Sequence, residues 1–362
     1  MSDAALTEAL GRILPREDQT LLLTASLGEG DEVAAAWTAW RARHPDPVAG
    51  LRVFGYGNTS VTPLLHRGLC KAGVPVGDDA FAATLAAGAM REERRAAKVH
   101  EGAGGALAAL GEAGVEPLVV GGVQLAELAY PAVGLRHTYD LDLLVTEEEQ
   151  RRAASTLREF GGIAPERPTG RGDLIVEHEL GVPVALHTKP FPVRGPTLPM
   201  AEVRRRRRRA TVSGADVWVP APEDALVHAL GMGPAGWTAA SVLWVPDVWF
   251  LLRANPELDW ALVAETASES RLAIIAAAAL AYLRERLGAP VPQEALERLR
   301  TAAGRASRAE RDFVLLAALR AQRLRDEPVG RSALPATSLA VARRLPSYLG
   351  DRLRGRQAVH TR

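Results

Sequence analysis

Two aspartates two residues apart, Asp140 and Asp142, sit in the run DLDLLV at 140–145. On a strand, residues i and i+2 point to the same face, with backbones roughly 7 Å apart. Magnesium prefers hard oxygen ligands in octahedral array, usually one or two carboxylates completed by phosphates and water. Side chains at 140 and 142 can therefore converge on one ion or clamp two. Upstream, the apolar run VEPLVV (115–120) ends in Gly121 and Gly122, and Asp140 follows Gly122 by 18 residues. Glycines at a strand end that opens into a helix leave backbone N–H groups uncovered for phosphate oxygens. In isolation an acidic pair is an ordinary strand face and two glycines are an ordinary turn. Together and in this order, they suit metal-assisted phosphoryl transfer.

The neighbouring sequence supplies elements able to hold these residues. VEPLVVGG reads as a buried strand, VQLAELAY (123–130) as a helix, YPAVGLRHTY (130–139) as a loop and DLDLLV as a strand. TEEEQRRAASTLREFG (146–161) reads as a helix with Thr146 as N-cap, acids in the first turn and a glycine stop. GDLIVEHEL and VPVALHTKPF, divided near Gly181, read as a hairpin, and ATVSGADVWV (210–219) as a further strand. This order predicts a small α+β domain over 115–220. Residues 1–114 read as a helical region, with helices at Ala4–Leu14, Glu32–Arg43, Thr62–Ala72 and Asp79–Leu110. The charged centre of the last, MREERRAAKVHE, reads as a solvated face. Residues 221–362 form a second helical region. It opens on Pro222 with Gly231 as the stop and continues through Ser241–Arg253, Asp259–Ser268, Arg271–Leu287, Pro292–Ala303 and Arg308–Asp326. The tail after Pro328 reads as loosely ordered, with one short helix near Thr337–Leu345.

The segment LVVGGVQLAELAYPAVGLRHTYDLDLLV (118–145) resembles the signature of the uncharacterised nucleotidyltransferase family of the polymerase-β-like superfamily. Leu125-Ala126, Tyr130-Pro131, Gly134 and Arg136 agree with that pattern. LHTKP (186–190), the helical stretch VHALGM…VLWVPDVWFLLR…LDWALVAETA (227–267) and VTPLLHRGL (61–69) extend the likeness over most of 60–270. The resemblance implies a mixed sheet, Mg2+ and transfer of a nucleotidyl group from a nucleoside triphosphate such as ATP. It places Asp140 and Asp142 at the metal, Gly121 and Gly122 at the phosphate-binding turn, and Arg136 as a bidentate phosphate partner. His187 either assists the metal or a phosphate, or is satisfied by a strand neighbour. One departure concerns the family's usual third carboxylate, whose position is taken by Ala185. A three-residue hairpin turn would set Glu179 opposite Ala185 as a relocated base; a two-residue turn would set His178 there instead. Glu177 is the other candidate, and a degenerate site that binds without turnover is the alternative.

Other features narrow the function. Lys and Arg number 44 and Asp and Glu 43, a formal net charge of +1 that favours neither a nucleic-acid coat nor a membrane surface. The six arginines Arg204–Arg209 read as an exposed basic linker, with triphosphate, RNA or an acidic peptide as possible partners. The single cysteine, Cys70, excludes an intrachain disulfide and a Cys-rich zinc site, and a reducing, cytoplasmic setting is expected. The N-terminus has no signal-peptide pattern, and RLAIIAAAALAY (271–282) is too short to span a bilayer. No H-E-x-x-H, G-x-S-x-G or P-loop pattern is present. The expected acceptor is a hydroxyl on a small molecule or peptide. A catalytically degenerate nucleotide-binding accessory protein and an RNA-directed nucleotidyltransferase are the alternatives. His228 and His178 are expected to be structural, Trp237 to line a cleft or the core, and Asp247 to pair within the helices or approach the substrate.

Overall fold

The computed structural model describes residues 3–52, 60–162, 167–168, 173–177, 181–191, 195–234 and 241–326. Glu179, His178, Trp237 and the tail helix expected at Thr337–Leu345 lie outside the described residues.

The chain is α+β. Helices α1 (Asp3–Ile13), α2 (Glu17–Leu27), α3 (Asp31–Arg43), α4 (Pro47–Arg52), α5 (Thr62–Lys71) and α6 (Asp79–Glu112) come first. The sheet region follows: β1 (Leu118–Val120), α7 (Gly121–Leu128), β2 (Leu141–Leu144), α8 (Glu147–Glu159), β3 (Arg167–Pro168), β4 (Leu174–Val176), β5 (Val184–His187), α9 (Met200–Arg206), β6 (Arg208–Val212) and β7 (Ala215–Val219). The C-terminal helices are α10 (Pro222–Met232), α11 (Trp244–Ala254), α12 (Trp260–Glu269), α13 (Ala273–Leu287), α14 (Gln293–Gly304) and α15 (Arg308–Asp326). Among the described residues no helix is long and apolar enough to cross a membrane.

Strand order is β3-β4-β5-β2-β1-β7-β6. The sheet is mixed: β2 runs antiparallel to β1 and parallel to β5, and β1 runs parallel to β7. Side-chain alternation divides the core between the two faces. Val119, Leu141, Leu143 and Val145 pack on the second half of α6 and on Ala153, Ala154 and Leu157 of α8. Leu118, Val120 and Leu144 turn the other way, into a larger cluster built from the N- and C-terminal helices together. Asp140 and Asp142 share the alternation of Leu144, so they belong to this second face. The two helical regions close directly on each other: Thr20 Oγ1 meets the Tyr282 hydroxyl at 2.9 Å and Arg286 pairs with Glu17 at 2.5 Å.

Local chemistry explains the element ends. Asp78 caps α6, accepting from the Phe81 N–H at 2.8 Å. Thr146 and Glu149 form a reciprocal capping box at the start of α8. Several readings need correction. Helix α2 escaped the periodicity because Gln19, Thr20 and Ser26 stand on its buried side. The stretch 210–219 is a hairpin rather than one strand, turned by Ser213 (φ 52°) and Gly214 (φ 78°). Gly231 lies inside α10, where a Cβ would strike Phe191 and Leu272; Gly233 is the cap. The arginine run forms the end of α9 and edge strand β6 rather than a linker. Arg204 meets Glu149 at 3.4 Å, Arg205 pairs with Glu202, and Arg206 meets buried Asp224 at 2.6 Å. Arg207 and Arg209 share Glu116 and clasp the Trp218 ring at 4.2 and 4.3 Å.

Candidate active site

Strand β2 is flanked by β1 on one side and β5 on the other, so Asp142 stands between Val120 and Ala185. Val120 is the last residue before the glycine bend. Gly121 has φ +68°, the left-handed region, and a Cβ there would lie 2.8 Å from Asp142 Oδ2. Glycine is required twice over, by conformation and by space. Residue 122 is also constrained: its Cβ would meet Arg136 Nη1 at 2.7 Å. The bend and the acidic strand, 18 residues apart in sequence, are thus in contact.

Asp140 is half-buried one step earlier on the same pleat. Burial and the neighbouring Asp142 carboxylate push its carboxyl up to about 7, against the pull of Arg136 and His187. Burial disfavours the charged form most, and the like charge of Asp142 adds to it.

His187, at the end of β5, binds Asp142 Oδ1 through Nε2 at 2.8 Å. Its Nδ1 faces Asp173 Oδ1 at 3.5 Å. Burial would push the imidazole down, but hydrogen bonding to Asp142 and Asp173 raises it to about 10, so it carries a proton to each carboxylate. Asp173 was not singled out in the sequence. Its signal was the β4–β5 register: Leu174 pairs with Leu186, which sets Asp173 against His187.

That register also revises the third-carboxylate argument. Ile175, and neither Glu179 nor His178, lies opposite Ala185, so the connection is longer than both turns considered. Ala185 is 6% exposed beside Asp142 and offers the site no oxygen. Glu177 follows the alternation of Asp173 and Ile175 past the last pair, Val176 with Val184.

Arg136 is held by a carboxylate of the helical layer. Its Nε and Nη2 donate to the two carboxylate oxygens of Asp247 at 2.8 and 2.9 Å. Nη1 donates to the His137 carbonyl and Thr138 Oγ1, both at 3.2 Å. The Tyr130 hydroxyl donates to Asp247 at 2.6 Å. With its fork engaged on a residue of α11, the buried guanidinium holds the 130–139 loop to the helical layer, with Nη1 beside the Gly122 bend. Burial followed by the Asp247 charge raises the Tyr130 phenol well above its ordinary value. A second tie comes from α6. Buried Glu92 binds His137 Nδ1 at 2.8 Å and Arg95 Nη1 at 2.9 Å, so the charged centre of that helix is not wholly a solvated face. His228 is buried, with Nε2 3.0 Å from the Pro190 carbonyl, and burial pushes it down to about 4. Its ring also stacks on Phe191, 5.5 Å between centroids.

Among the described residues no cluster of three or more His, Cys, Asp and Glu side chains could hold a metal on its own. The donor set at Asp140 and Asp142 still fits a hard divalent ion whose remaining ligands are phosphate and water.

Paired aspartates on a mixed sheet, pressed against a glycine bend, define an α+β chain of the nucleotidyltransferase class. The uncharacterised nucleotidyltransferase family matches residues 58–288, well over half the chain, and the protein belongs to that family. No curated protein and no solved structure matches it.

The Arg136–Asp247 pair gives a stability prediction. Asp247→Ala leaves a buried guanidinium uncompensated and costs about 3–5 kcal/mol in urea unfolding, with much of the loss recovered by adding Arg136→Met. A loss under about 1 kcal/mol, typical of an exposed pair, contradicts this role.

Proposed function

We propose that the protein is a magnesium-dependent nucleotidyltransferase that moves a nucleotidyl group from a nucleoside triphosphate to a hydroxyl-bearing acceptor. The observation that carries this reading is the contact between Asp142 and the Gly121 bend, with Asp140 on the same pleat. In this reading Asp140 and Asp142 hold the ion, which supplies Lewis-acid neutralisation of triphosphate charge when bound. The backbone at Gly121 and Gly122, at the first turn of α7, accepts the phosphates. His187 fixes the orientation of Asp142, and Asp173 fixes His187, in the manner of outer groups that aim a metal ligand. Arg136 is a positioning residue for the loop that enters β2.

A small molecule or peptide is the favoured acceptor. The net charge is only +1, and five of the six clustered arginines are engaged by acidic side chains. Nucleic acid usually calls for a broad positive surface. Ala185 favours the second reading, a nucleotide-binding accessory protein with a degenerate site.

Magnesium-dependent pyrophosphate release, tried across the four triphosphates with candidate acceptors, separates the two. Asp142→Asn is expected to abolish release while the circular-dichroism spectrum stays native; full activity in that variant refutes the assignment. Asp173→Asn tests the support for His187. It is expected to weaken Mn2+ binding about 10–100-fold, read by titration calorimetry in the presence of triphosphate. Unchanged metal affinity removes Asp173 from the site.

A further inference from the structure

Tyr139 stands immediately before Asp140, in the loop that enters β2. It is 61% exposed, one of four large apolar side chains so placed among the described residues. A single exposed aromatic is ordinary on a protein surface. Three observations set this one apart. Its phenol is pushed up to about 12, by the Asp140 charge first, with burial and the Asp142 charge adding to it. The hydroxyl end therefore lies near the carboxylates, while much of the side chain stays open to solvent. The ring also meets that of His137, with centroids 6.0 Å apart and planes tilted by 48°. That imidazole is itself held from α6, its Nδ1 lying 2.8 Å from Glu92 and 2.9 Å from Arg95. Finally, the backbone on either side is fixed. Thr138 is buried, with Oγ1 accepting from Arg136 Nη1 at 3.2 Å, and Leu141 pairs with Val184 on β5.

These constraints leave a flat aromatic surface in a set place at the rim of the aspartate site. Its hydroxyl end marks the side where the carboxylates lie, and the ring extends from there into solvent. A nucleoside triphosphate has the same order of parts, charged phosphates at one end and a flat heterocycle at the other. With phosphates at the aspartates and the glycine bend, the heterocycle can cover the open ring. Stacking of this kind reads the π face that every base has, so it tolerates all four. A purine overlaps the ring more fully than a pyrimidine and removes more apolar area from water.

We propose that the Tyr139 ring, braced by His137, is the surface on which the nucleobase of the donor triphosphate stacks, so that the site accepts all four bases and holds purines more tightly than pyrimidines. This role rests on the nucleotidyltransferase reading above, which brings the triphosphate to Asp140 and Asp142.

Titration calorimetry of the full chain with Mg2+ tests it, using a non-hydrolysable ATP analogue, the matching UTP analogue and inorganic tripolyphosphate. Wild type is expected to bind the ATP analogue more tightly than the UTP analogue. Tyr139→Ala is expected to weaken the ATP analogue roughly tenfold, about 1.4 kcal/mol, and to narrow the gap between the two. Tyr139→Phe keeps the ring and is expected to bind both as wild type does. Tripolyphosphate has no base and is expected to bind wild type and both variants alike, which also shows that the variants are folded. Unchanged affinity for the ATP analogue in Tyr139→Ala overturns the proposal while leaving the nucleotidyltransferase reading in place. So does a loss in Tyr139→Phe as large as in Tyr139→Ala, which would assign the contact to the hydroxyl, or a wild type that prefers the UTP analogue. A wild type that binds neither the analogues nor tripolyphosphate overturns the nucleotide reading itself, and this role with it.

Discussion

Two carboxylates on one pleat, drawn partly out of water, repel each other, and most of what surrounds them keeps them in place despite this. Asp142 is flanked by backbone on both sides, with the Gly121 bend against one oxygen and His187 bonded to the other. Among the described residues Asp140 has no ion pair of this kind, and burial together with the Asp142 charge makes its carboxyl reluctant to ionise. A site with this imbalance has an electrostatic reason to take up a divalent cation, and a triphosphate can complete the ligand set that two aspartates leave open.

The helical layers are the second half of the arrangement. A loop of about ten residues enters β2, and a loop of that length fixes Asp140 only if it is tied down elsewhere. Two ties do this. Arg136 and Tyr130 converge on Asp247 of α11, and His137 is held by Glu92 and Arg95 of α6. Three features of the family-like sequence pattern, Tyr130, Arg136 and the aspartate of WVPD, thus meet in one buried knot. They are separated by up to 117 residues. The N- and C-terminal helices share one apolar cluster on the same side of the sheet, so both regions back the site face.

The chemistry of individual residues was legible where it depended on near neighbours. The paired aspartates, the glycine bend, the capping box at Thr146 and the limits of α12 to α15 all follow from local spacing. What depended on distant pairing was not. Asp173 joins the site only through the β4–β5 register, which the turn length around Gly181 did not reveal. The bond from Arg136 to Asp247 could not be read locally because the partner lies 111 residues away. Glu92 was hidden in a charged run whose composition says nothing about which side chain turns inward. Helix α2 was obscured by polar residues on its buried side, and the Ser213–Gly214 turn by the apolar pattern continuing on either side of it.

The central claim is that Asp140 and Asp142 share a cation beside the glycine bend. Diffraction from crystals soaked with Mn2+ and a non-hydrolysable nucleoside triphosphate tests it most directly. An anomalous peak within bonding distance of both carboxylates, with the phosphates at the start of α7, is the predicted result. A peak elsewhere, or triphosphate bound with neither carboxylate touching metal, contradicts the account.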